Sequence, residues 1–500
     1  MTKQVENIAW DGDELDRKAS GDFLSKYLIN RFEESQDLVN DSFVLNLNTE
    51  WGFGKTYFLK NLALSLKKDN YPVVYFDAWQ SDFSNEPLLA FISEINDELS
   101  EYFTAKIPKT LLSNAVQNAK KLIKPTVPIL LSVLAKKLTG YSREELNEIL
   151  SGEVDGEKEK IDKDTDIDQA VASVVSKAVD HALLEHKNKK KSIVSFKDSL
   201  GELINYIGKS TTKYNLPLFV FVDELDRCRP SYAIELLENI KHLFGVNGVY
   251  FVVATDLKQL GHSVCAVYGN QFESERYLKR FFNQEYTLPS PNNINFARFL
   301  FNESGLEGGN CLFSPLTLKN CKTEDINVEI FYLLSDFFKL SLRDQMQCFQ
   351  NIETVLITNK DRTFHSVFLF FLIILKHKSS AAFYKLCSKF NREELYKIID
   401  KMSDNGDVNR NVEFKSGQLK SDRDGWVDTN FPIESLIESY IELYDRNIID
   451  IMEISTRETF SGHIQSEFTK SLGGGYNPRN PPKHDLHSYK ALVESAGQIN

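Results

Sequence analysis

Phe43-Val44-Leu45-Asn46-Leu47-Asn48-Thr49-Glu50-Trp51-Gly52-Phe53-Gly54-Lys55-Thr56 is the stretch that decides the fold. Phe43 to Leu47 reads as a strand, a glycine turn follows, and Thr56 to Lys68 carries the pattern of an amphipathic helix. Such a unit turns backbone N–H groups inward around an anion, and the helix N-terminus points at the same spot. A lysine here reaches the β- and γ-phosphates of a nucleotide, and the next hydroxyl binds magnesium. Thr49, Glu50, Trp51, Gly52, Phe53, Gly54, Lys55 and Thr56 are therefore the expected phosphate-binding residues. Thr49 stands where the full pattern has its first glycine, and Phe53 is bulky beside the loop. Lys55 is expected on a solvent-facing loop, so that removing it should cost binding and not packing.

Downstream of a second short strand at Val73 to Phe76, the strand pattern returns at Leu216 to Val222 and ends in Asp223-Glu224. A buried strand ending in a carboxylate places Asp223 beside the magnesium site. Glu224, next to it, is the candidate general base for the attacking water. Another strand, Val249 to Ala254, ends in Thr255-Asp256. Thr255 is placed near the γ-phosphate to orient water, while both residues are also good helix N-caps. Asp226 and Arg227 are expected to pair and hold the loop. Arg276, Lys279 and Arg280 lie on one short helical stretch, around the helix expected at Tyr277 to Phe282, and a guanidinium there would stabilise transition-state charge. Arg280 is the first choice, acting across an ATP-promoted homo-oligomer, with Arg276 second.

Uninterrupted apolar strands alternating with helices argue for a parallel sheet covered on both faces. The chain divides into an N-terminal helical segment (1–41) and a first core part (42–86). A helical insertion (87–214) contains a mobile acidic loop (151–169), and a second core part (215–290) follows it. A C-terminal helical domain (291–470) and a flexible tail (471–500) complete the chain. The tail is marked by Gly473-Gly474-Gly475 and Pro481-Pro482.

A net charge of −12 disfavours a protein that coats nucleic acid. The lysine-rich pieces, such as Lys187 to Lys191, read as solvated faces. Six scattered cysteines show no metal or disulfide spacing and suit the cytosol. The apolar pieces Thr126–Leu138 and Val367–Leu375 fall short of the ~20 residues a spanning helix needs, so both read as core helices.

The chain resembles the KAP family of P-loop NTPases. The likeness rests on Glu50-Trp51-Gly52-Phe53-Gly54-Lys55-Thr56, Phe76-Asp77-Ala78-Trp79 and Asp223-Glu224-Leu225-Asp226-Arg227-Cys228, with Ala254-Thr255-Asp256 and Tyr277-Leu278-Lys279-Arg280 further on. It covers roughly residues 14–290 well. The resemblance implies a three-layer domain of the additional-strand type with a five-stranded parallel core. It also implies ATP as nucleotide, and a C-terminal helical region in which Arg343 stands as an arginine before a helix. The family's usual second acid is Asp; Glu224 in its place favours hydrolysis. Many members carry membrane helices between the two nucleotide motifs, and residues 87–214 hold none, which implies a soluble branch. The analogy further implies antiviral defence within a multi-component system. Two readings follow: an active magnesium-dependent ATPase that switches conformation or assembly, or a nucleotide-sensing scaffold with little turnover. Thr49 and Phe53 lean to the second; Glu224, Thr255 and the basic stretch Arg276–Arg280 lean to the first.

Overall fold

The computed structural model describes residues 9–35, 42–84, 86–102, 194, 196–208, 213–241, 245–305, 311–314, 325–387, 411–414, 420–421, 425–426, 429–445 and 486–498, with isolated residues at 397, 399, 401 and 464. The expected acidic loop 151–169, the lysine run 187–191 and the apolar piece 126–138 lie outside the described residues.

Two compact units divide the chain. The first comprises residues 1–9, 20–50 and 55–288; the second comprises 10–19, 51–54 and 289–500. The first is built on five parallel strands in the order β2-β3-β4-β1-β5. They are β1 (Phe43–Asn48), β2 (Val73–Asp77), β3 (Leu218–Asp223), β4 (Val249–Thr255) and β5 (Gln284–Thr287). β4 lies between β1 and β3, the additional strand that the resemblance implied.

β3 and β4 are buried at every position because both faces are covered. Alternate residues such as Val44, Val74, Val220, Phe251 and Val253 face one core. Against them pack Phe91, Ile92 and Ile95 of helix α3 (Pro87–Tyr102), and Phe196, Leu200 and Leu203 of a helical stretch at 196–208. On the other face Phe43, Phe219 and Tyr250 form a ring cluster, joined by Phe32 from α1 (Lys18–Ser35). There too lies α2 (Lys55–Lys68), which buries Phe58, Leu59, Leu62 and Leu66 at helical spacing against β2, β3 and β4.

Register brings the carboxyl ends level. Asn48 pairs with Thr255, and Asp77 pairs with Asp223. The polar ends of β1, β2, β3 and β4 thus meet at one edge of the sheet, where parallel sheets bind ligands. The helix expected over Tyr277–Phe282 is instead Ser274–Leu278, and Lys279 and Arg280 lie in the turn after it.

In the second unit the helices Asn293–Ser304, Ile326–Phe337, Leu342–Thr358 and Ser366–Lys378 share a core of Phe301, Phe331, Phe349 and Phe370. Val367 to Leu375 is buried on all sides, which accounts for its unbroken apolar sequence. Among the described residues no helix is long and apolar enough to cross a membrane. Short strand pairs such as Asn411–Phe414 with Thr429–Pro432 interrupt the helical pattern. Part of the expected flexible tail is ordered: Tyr489–Ala496 is a helix that buries Tyr489 and Val493. Tyr489 packs on Phe364 and Phe368, and this apolar anchor outweighs the glycine and proline signals before it.

Candidate functional site

In the first unit the charged residues of the sheet edge form one connected set. Lys55 opens α2 and is only 8% exposed, not on a solvent-facing loop as its neighbours in sequence implied. Its Nζ sits 2.8 Å from Asp226 Oδ2 and donates to the Thr49 carbonyl at 3.3 Å. Asp226 Oδ2 also accepts from the Asp256 backbone N–H at 2.9 Å. Asp226 is therefore the counter-ion of Lys55, and the expected Asp226–Arg227 pair is replaced by an ion pair of Arg227 Nε with Glu224 Oε2. The 3-10 turn Leu225–Arg227 sends the two neighbours to different partners.

Thr56 donates its hydroxyl to Glu224 Oε1 at 2.7 Å. Both oxygens of Glu224 are thus engaged, and its backbone is left-handed, with φ 59° and ψ 23°. A non-glycine residue in that region is held there by its surroundings. Asp223 is fully buried at the end of β3. Its carboxylate accepts from the Tyr75 hydroxyl at 2.6 Å and from the Glu224 N–H at 2.8 Å. Burial pushes the Asp223 carboxyl above the ordinary range, and hydrogen bonds from Tyr75, Thr56 and the Glu224 backbone oppose that. Burial likewise raises Glu224; the Thr56 bond opposes, the Asp223 charge adds, and Arg227 opposes again.

Thr255 is fully buried at the end of β4. Its hydroxyl accepts from Asn46 Nδ2 at 2.6 Å, so its own proton is available to donate. The Thr255 carbonyl takes the Thr49 N–H at 3.2 Å. Asp256 caps the helix Leu257–Tyr268 through Lys258 N and Gln259 N. Glu50 makes an exposed ion pair with Lys258.

Trp51, Gly52, Phe53 and Gly54 group with the second unit. Gly52 and Gly54 have φ of +81° and +83°, and each would be crowded by a side chain. A Cβ on Gly52 would lie 2.8 Å from Ser341 Oγ, and one on Gly54 would lie 2.9 Å from Leu15 Cδ1. The Gly52 carbonyl accepts from Leu342 N at 3.0 Å. The Phe53 carbonyl accepts from the buried Arg17 guanidinium at 2.9 Å, and Arg17 also bonds the Pro289 carbonyl. Ser341 begins the next helix with a capping box to Asp344, and Arg343 is exposed in its first turn.

The expected site residues Lys55, Thr56, Asp223, Glu224 and Thr255 therefore converge within one unit, whereas Arg280 does not join them. Arg280 is exposed, and Arg276 pairs with Glu273 at the surface. Lys279 lines a cavity of about 750 Å³ beside the end of β1, with Asn48, Lys258, His262 and Glu285; neither arginine does. Sequence reading missed Arg17, Asn46 and Tyr75. Asn46 had a signal, a polar residue inside an apolar strand, while the other two had none.

Left-handed glycines with no room for a side chain are what a backbone phosphate cradle needs. The hard oxygens of Thr56 and Asp223 suit magnesium, which is held by one or two carboxylates together with substrate phosphates. Among the described residues no three His, Cys or carboxylate groups gather into a metal cage.

The family model described as the KAP family P-loop domain matches residues 25–344, more than half of the chain. Among solved structures, the chain is similar to the Aeropyrum pernix ORC2 protein in its ADPNP–ADP complexes. That match has 12% identity and a TM-score of 0.33, covering 97% of this chain and 94% of that one. It is also similar to C. elegans PCH-2, at 12% identity and a TM-score of 0.30 over 71% of this chain and 68% of that one. No curated protein matches it.

Proposed function

The chain belongs to the KAP family of P-loop NTPases, and from that footing we propose that it binds ATP with magnesium and hydrolyses it to switch conformation or assembly state. The observation that carries this reading is the meeting of the α2 start with the β3 end, Thr56 Oγ1 lying 2.7 Å from Glu224 Oε1. In this reading the N–H groups of Gly52, Gly54 and their neighbours surround the phosphates. Lys55 leaves Asp226 to bind the β- and γ-phosphates. Thr56 and Asp223 would hold magnesium, which would supply positive charge against the charge that develops on the phosphates. Glu224 gives up one of its two contacts to take a proton from the attacking water. Thr255, fixed by Asn46, donates to the γ-phosphate or to that water.

Phosphate release is the direct test. Glu224→Gln should keep ATP binding and lose turnover by at least 10²-fold, because a general base contributes about 10²–10⁴. Wild-type turnover in that variant would move the base to Asp226. A second reading, the nucleotide-sensing scaffold, is favoured by the full engagement of both Glu224 oxygens. It requires ATP binding with no phosphate release above the Glu224→Gln level. A role in antiviral defence extends the family resemblance, and loss of phage resistance in cells carrying Asp223→Asn would support it.

A further inference from the structure

Arg227 pairs with the candidate base Glu224 and with the Trp79 ring, not with the glycine loop. Its guanidinium lies over the Trp79 ring, 5.6 Å from the centroid, and its Nε meets Glu224 Oε2. The stack is tied down on its far side. Trp79 begins the turn after β2, and Asp82 N bonds the Trp79 carbonyl at 3.2 Å. Arg229, two residues beyond Arg227, fastens that turn. Its backbone N–H reaches Asp82 Oδ2 at 3.0 Å, its Nε reaches Asp82 Oδ1 at 2.9 Å, and its guanidinium reaches the Ser84 carbonyl at 3.2 Å. The Arg227 N–H bonds back to the Glu224 carbonyl at 3.1 Å, so backbone and side chain of Glu224 are gripped together. Trp79 is 54% exposed and Phe83 of the same turn is 88% exposed. The outer end of the stack is therefore open to solvent while its inner end is buried against Thr56.

We propose that Arg227 is a positioning residue which, braced on Trp79, holds Glu224 against the Thr56 hydroxyl and away from the attacking water. The proposal rests on the ATPase reading. A carboxylate acts as a base through an oxygen that is free to receive a proton. Oε1 is taken by Thr56, and Oε2 is taken by a cation that both lowers its basicity and fixes its direction. Turnover then needs the Arg227 grip to open, and the Trp79 platform sets how readily it does. Arg suits this task where Lys does not, because its planar group stacks on a ring and forks onto a carboxylate at once.

Arg227→Ala should raise kcat about fivefold, roughly 1 kcal/mol of barrier. It should also shift the acid limb of the kcat profile to higher pH, since the charge that favours ionised Glu224 is gone. Arg227→Lys keeps the charge and loses the flat stack, so kcat should rise while the limb stays near that of the wild type. Trp79→Leu should raise kcat in the same direction and add nothing in the Arg227→Ala background, because the two act as one unit. A readout independent of turnover is the emission of Trp79, taken as the difference between wild type and Trp79→Phe. It should show a step when ATP and magnesium are added, as the grip opens, and Glu224→Gln and Arg227→Ala should both abolish that step. A kcat for Arg227→Ala at or below wild type, with an additive Trp79→Leu effect, would overturn the proposal. A missing emission step with turnover intact would reject the stack and leave hydrolysis standing. No phosphate release from wild type or Arg227→Ala, with the step present, would reject hydrolysis instead.

Discussion

Replacing Lys55 by alanine should destabilise the protein as well as abolish ATP binding. The side chain of Asp226 is 1% exposed and that of Lys55 is 8% exposed, with 2.8 Å between the charges. Removing one partner of a buried pair leaves the other charge uncompensated, at a cost of about 3–5 kcal/mol. The Asp256 N–H still donates to Asp226, which argues for the lower end, about 3 kcal/mol. With a urea slope of about 3 kcal/mol per molar, the unfolding midpoint should fall by about 1 M. Adding Asp226→Asn to Lys55→Ala removes the stranded charge and should recover most of that loss. Asp226→Asn alone should instead tighten ATP binding, because Lys55 no longer gives up a buried partner to reach the phosphates. Urea titrations followed by circular dichroism, with calorimetry for ATP, measure both effects. A Lys55→Ala midpoint within about 0.2 M of wild type, or no recovery in the double variant, would refute the claim that this pair is buried and coupled.

Three further outcomes are expected. Gly54→Ala must place a Cβ at φ +83° and 2.9 Å from Leu15 Cδ1. It should cost about 1–2 kcal/mol and weaken ATP binding at least tenfold by calorimetry. With Glu224 proposed as the base and its carboxyl raised by burial, kcat should fall as pH drops, with a midpoint above the ordinary value of about 4.3; a midpoint at or below that value removes Glu224 as the base. Mixing Arg280→Ala chains with Glu224→Gln chains should restore phosphate release that neither shows alone, since Arg280 is exposed and is proposed to act on a neighbouring copy; no recovery with a monomeric mass at every ATP concentration rules that out.

The glycine turn and the acidic strand end were legible in the sequence because each is set locally. Glycines at Gly52 and Gly54 are demanded by backbone torsion, and Asp223 follows an apolar run that only a buried strand explains. The alternation of such strands with helices was enough for a parallel sheet, and Val367 to Leu375 was enough for a core helix. The pairings at the site were not legible, because tertiary register decides them. Asp226 meets Lys55 across 171 positions, and Asn46 meets Thr255 only because β1 lies against β4. Nothing near Tyr75 announces that its hydroxyl will hold Asp223, nor anything near Arg17 that it will hold the Phe53 carbonyl. The sequence by itself determined which residues carry the charges and where the glycine turn falls. Only the tertiary structure decided which charge neutralises which, since a buried ion must find a partner and the fold alone chooses the one within reach.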